Sequence, residues 1–151
     1  MSKINRFNYQ EKIIALWTVF LLKTLFHTQL ALMPLFHGID VAIMSHHQEI
    51  ATMAEIEPIL WGMLLFFILP IVAIAGTVFY QFKRFRLFHF GFTLIYTVLN
   101  FAHLVADLLV VPVAWYQIVL MLLLLIIGIL LNIVSYKWLK VGIRDRQMTV
   151  K

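Results

Sequence analysis

The sequence predicts an all-α integral membrane protein, a bundle of four transmembrane helices with both termini in the cytoplasm. Three observations carry that prediction. Hydrophobic residues fill 63% of the 151 positions and charged residues 13%, with a mean hydropathy of +0.95, which is far outside the range of soluble domains. Four apolar stretches, 13–36, 58–82, 87–111 and 113–138, reach the roughly 20 residues that a helix needs to cross a bilayer. Lysine and arginine gather before the first stretch (Lys3, Arg6, Lys12), between the second and third (Lys83, Arg84, Arg86) and in the tail (Lys137, Lys140, Arg144, Arg146, Lys151), while the connection 37–57 has none. By the positive-inside rule that connection faces outward.

The first span carries a positive flank but is longer than a signal-peptide core and has no small-residue cleavage site after it, so it is expected to remain as an anchor. Within it Lys23 and His27 lie one turn apart, beside Thr24, Thr28 and Gln29. Lys23 is expected to snorkel toward the inner leaflet or to bond to a neighbouring helix.

The outward loop 37–57 begins with an expected short helical or irregular segment. If it is helical, His37, Asp40, Met44 and His47 share one face, with His46 on another. Two imidazoles, a carboxylate and a thioether suit a copper ion, or zinc if the methionine stands aside. The opposing reading is a solvated turn, and Gly38 weighs against a helix there.

Span two is apolar apart from Glu55 and Glu57 at its outer entrance and Thr77 near its inner end; Pro70 is expected to kink it, and Gly62 and Gly76 to allow close helix contacts. Span three is the informative one. Thr93, Tyr96, Asn100, His103 and Asp107 recur at spacings of 3, 4, 3 and 4 and so share one helical face. Polar groups in hydrocarbon require partners, a cofactor or water, so this stripe is expected to face the bundle interior. His89 is read as an interfacial histidine rather than a ligand. A single helix through spans three and four would be about twice membrane length, and Pro112, Trp115, Tyr116 and Gln117 mark an interfacial turn between them. Span four has polar groups only towards its ends, and the thirteen phenylalanines are expected as lipid-facing bulk.

Counted from the cytoplasmic end at about 1.5 Å per residue, His27 sits about 21 Å up span one and His103 about 24 Å up span three. The two histidines are thus expected to face each other, with Asp107 about one turn nearer the outside and Lys23 about one turn nearer the inside. Tyr96 and Asn100 are expected as hydrogen-bond partners behind them. The opposing reading is an interhelical hydrogen-bond network without a ligand.

Function is bounded by these residues. The chain has no cysteine, which excludes disulfides, thiolate zinc sites, cysteine-held iron–sulfur clusters and thiol redox chemistry. The +5 formal charge is juxtamembrane and points to anionic lipid rather than nucleic acid. The whole chain reads as a single membrane domain, 1–151, ending in a cytoplasmic tail at 139–151. The leading expectation is a transition-metal site for copper or zinc, built from His37, Asp40, His46, His47, His103 and Asp107, in metal handling or metalloprotein maturation. One alternative is a haem b or quinone-linked redox subunit with His27 and His103 as axial ligands. Another is a non-catalytic accessory subunit of a larger membrane complex, or a homo-oligomer. An independent enzyme is not expected, because the histidines are too few for a membrane di-iron centre. The charge bias fits a bacterial inner membrane or a thylakoid.

Overall fold

A computed structural model describes residues 9–38, 52–111 and 113–149, with side chains described as far as residue 141. Its regular elements are helices: α1 (Tyr9–Phe36), α2 (Met53–Phe79), α3 (Lys83–Leu109) and α4 (Trp115–Thr149). All four are long and apolar enough to cross a membrane. Cross-helix bonds fix alternating directions. The Gln10 amide donates to the Thr77 carbonyl, Arg86 Nη1 to the Trp138 carbonyl at 3.1 Å, and Asn132 Nδ2 to Thr97 Oγ1 at 2.9 Å. The start of α1, the α2–α3 turn and the end of α4 therefore share one end, called here the tail end; the other is the loop end.

Helix limits follow local chemistry that hydropathy does not report. Glu11 lies in the first turn of α1, where a carboxylate favours the helix dipole, so the helix starts at Tyr9 rather than at residue 13. It stops where His37 N–H donates to the Pro34 carbonyl at 3.0 Å and Gly38 N–H to that of Leu35 at 3.1 Å, Gly38 having φ +73°. This left-handed glycine ends helices because it lacks a Cβ, so α1 does not run on through the loop. Thr52 N–H donates to the Glu55 carboxylate at 2.7 Å, starting α2 at Met53 and taking Glu55 and Glu57 into the helix instead of leaving them at its entrance. At the other end Lys83, Arg84 and Arg86 are the first turn of α3, not a connection. The break between α3 and α4 lies between Leu109 and Trp115, spanning the position expected for it, but Trp115, Tyr116 and Gln117 form the first turn of α4 instead of the connection.

Packing is closest between α3 and α4 and between α1 and α4, then between α1 and α2. Helices α1 and α3 lie diagonally and meet through long side chains across the core. Trp17, Phe20 and Tyr96 pack there in edge-on pairs, with ring centroids 5.3–6.1 Å apart, and Phe66, Phe85 and Phe92 pack against the same cluster. The phenylalanines are thus not all lipid-facing. A Cβ at Gly76 would stand 2.7 Å from Phe85 Cζ, whereas one at Gly62 would meet nothing within 4 Å. Of the two expected close contacts only Gly76 makes one.

Pro70 is buried inside α2. Having no N–H, it cannot bond to the carbonyl of Phe66 four residues earlier. The Tyr96 hydroxyl donates to that carbonyl at 2.8 Å. The backbone acceptor freed by proline thereby ties α2 to α3.

Candidate metal centre

Near the loop end three side chains converge from two helices. The shift of helix starts preserves the depth match: His27 lies about 27 Å along α1 and His103 about 30 Å along α3. Since α1 and α3 run parallel, the rings meet, edge-on at 82° with centroids 5.5 Å apart. Asp107, one turn above His103, sits between them. Its Oδ2 is 3.8 Å from His27 Nε2 and its Oδ1 3.7 Å from His103 Nε2. One ligand atom from each residue falls within 4.8 Å of the other two.

These separations are too long for hydrogen bonds. Three nitrogen and oxygen ligands at 2.0–2.2 Å from a tetrahedral ion would be about 3.4 Å apart. The carboxylate is a few tenths of an ångström wide of that spacing from each imidazole, through a different oxygen for each, and a set of one atom per residue spans up to 4.8 Å, so the three side chains would draw together around an ion. His27 is buried (8% exposed), the Asp107 side chain is 23% exposed and that of His103 57%. The centre has a protected wall on α1 and an open flank at His103.

Much of the unmet hydrogen-bonding capacity lies at the same place, with Asn132 Oδ1 of α4 a further such atom tailward of it. His27 Nδ1, Asp107 Oδ2 and both amide atoms of Asn100 are buried without a partner among the described residues. Each such group costs about 1–3 kcal/mol if left unpaired, so this part of the interior is built to receive something polar. Lys23 is half-buried one turn tailward of His27 and makes no ion pair among the described residues.

Other expected site residues stand elsewhere. Tyr96 is committed to Phe66 in the aromatic core and is not behind the histidines. His37 is exposed in the turn after α1 and is not in the convergent group. Asp40, Met44, His46 and His47 lie outside the described residues.

The stripe on α3 is longer than the sequence reading had it. Arg86 and His89 continue the same spacing tailward, so 86, 89, 93, 96, 100, 103 and 107 form one face. His89 is 1% exposed and is not interfacial. Trp17 Nε1 donates to its Nε2 at 3.0 Å, while Ser135 Oγ lies 3.3 Å from its Nδ1. Since tryptophan is only a donor, Nε2 accepts and Nδ1 carries the proton. Neither nitrogen is left for an ion. The spacing of four back from Thr93 is the sequence signal for this residue, and its place near the basic end of the span pointed to an interfacial role instead.

The chain has no match among family models, curated proteins or solved structures, so its function rests on this geometry.

Proposed function

We propose that this is a small membrane protein that holds one divalent transition-metal ion, zinc or copper, between His27, His103 and Asp107, in metal handling or the maturation of a metalloprotein. The single observation that supports it is the convergence of two imidazoles and a carboxylate from diagonal helices, without hydrogen bonds among them, around buried atoms that have no partner. Neutral imidazole with carboxylate is borderline in softness and suits zinc(II) and copper(II) better than copper(I), which favours sulfur. Three protein ligands leave a fourth position open to water or to a residue of the 37–57 segment, where His37, Asp40, His46 and His47 are the candidates. The lysine and arginine distribution turns the loop end outward, away from the cytoplasm.

A bare ion is favoured over haem b. The two rings lie edge-on at 5.5 Å with a carboxylate between them, an arrangement that leaves no slot for a macrocycle with an imidazole on each face.

Elemental analysis of purified protein tests this. His27→Ala, His103→Ala and Asp107→Asn are each expected to lose the stoichiometric ion while remaining folded in detergent. Full metal content in all three variants would end the reading.

A further inference from the structure

Polar groups in the bundle interior fall into two populations. At the loop end, buried atoms of His27, Asn100 and Asp107 have no partner. Tailward of Asn100 the buried imidazole and hydroxyl groups are bonded within the bundle, and the buried acceptor left over there is one neutral amide oxygen, Asn132 Oδ1. Tyr96 donates to the Phe66 carbonyl at 2.8 Å, Thr93 to that of Phe90 at 2.8 Å and Thr77 to that of Ala73 at 2.7 Å, and His89 is held between Trp17 and Ser135. An ion arriving there finds no free imidazole or carboxylate among the described residues, only that lone amide oxygen.

An aromatic layer separates the two. Four rings surround Tyr96: Phe92 at 4.7 Å, Phe66 at 5.0 Å, Trp17 at 5.3 Å and Phe20 at 6.1 Å between centroids. These are contact distances for aromatic rings, and Trp17, Phe20 and Tyr96 are buried, as is Leu131 of α4. Rings packed at these distances offer little hydration to a charge passing between them. On the loop side the His103 ring is largely exposed.

We infer, resting on the metal reading above, that the centre has a single mouth: the ion enters and leaves at the loop end past His103 and does not cross to the tail end. The protein is then a holder that presents its ion to one compartment, not a conduit. The contrast with a transport pathway is physical, because a path needs ligands or water along its length, and here the described imidazole and carboxylate ligands lie only on the loop side of Asn100.

Zinc-loaded protein reconstituted into lipid vesicles decides it. EDTA, which does not cross the bilayer, is added outside, and orientation is read from protease removal of the 139–151 tail. Zinc loss is expected only from copies whose tail points into the vesicle, with loss from the others on adding detergent, and no zinc reaching a lumenal dye. Equal loss from both orientations, or zinc delivered to the lumen, would overturn the single mouth while leaving the metal site standing. If the solubilised protein retains no zinc before reconstitution, the metal reading has failed and the mouth falls with it.

Discussion

Asn100 presents two donors and an acceptor to the interior, all buried and without a partner. His27 on the diagonal helix has the same problem at Nδ1. When an imidazole gives Nε2 to a metal, its other nitrogen carries the proton and requires an acceptor, which also fixes the ring's orientation. Asn100 Oδ1 is a buried, unassigned acceptor on the α3 stripe, one turn tailward of His103. Asn100→Leu, a substitution of similar volume, is expected to weaken metal binding by about 10–100-fold, the usual effect of losing such an outer partner. Competition titration against a chelator of known affinity checks it, and an unchanged affinity would remove Asn100 from the centre. The closeness of His27, His103 and Asp107 was legible in the sequence, because helical period places the α3 pair on one face and rise per residue matches His27 to it in depth, but His27 was expected there as a haem ligand and not in the metal set. Tyr96 and His89 were misplaced for a different reason. Periodicity says which face a residue is on, but the partner that claims it, Phe66 for one and Trp17 with Ser135 for the other, sits on another helix.

Among the helices, α2 is the one whose geometry depends most on a single side-chain bond. Pro70 withholds an N–H from the Phe66 carbonyl, and Tyr96 supplies a hydroxyl in its place. Tyr96→Phe is expected to destabilise the fold by about 1–3 kcal/mol, the cost of a buried acceptor left unpaired. In a Pro70→Ala background the backbone N–H returns and the same Tyr96→Phe change is expected to cost measurably less. Chemical or thermal unfolding of the four proteins of this double-mutant cycle gives the coupling, and strict additivity would mean that the hydroxyl does not serve the carbonyl. A second contact sets the α2–α3 turn. Gly76→Ala would drive a Cβ to 2.7 Å from Phe85 Cζ, and is expected to destabilise unless the ring swings away. The four spans were readable from apolar run length, because a bilayer imposes it. Their ends were not, since Thr52 with Glu55, the Gly38 stop and the basic first turn of α3 act through local bonds and backbone angles.

For the molecule as a whole, α1 and α3 are diagonal partners joined by side chains rather than by close backbone packing. An ion held by His27 from one and by His103 and Asp107 from the other is a cross-link between them. Binding to the folded state alone stabilises it by mass action, by about 2.7 kcal/mol at one hundred times the dissociation constant. The unfolding midpoint in detergent is therefore expected to rise with added zinc in the native sequence and not in Asp107→Asn. The exterior of the bundle suits lipid: large apolar side chains such as Trp61, Leu65, Val72, Val98 and Leu123 point outward, as hydrocarbon surroundings require. Polar chemistry runs along the interior stripe of α3, with His27 of α1, Thr77 of α2 and Asn132 and Ser135 of α4 facing it, and the described imidazoles and carboxylate free to take an ion lie at its loop end.

The most direct measurement is X-ray absorption at the metal edge of the zinc-loaded protein, with the His27→Ala, His103→Ala and Asp107→Asn variants alongside. The expected result is a shell of nitrogen and oxygen ligands at about 2.0–2.2 Å with the multiple-scattering pattern of two imidazoles, falling to one imidazole or to no bound metal in each histidine variant. A native shell without imidazole, or one unchanged in both histidine variants, would contradict the assignment of this centre.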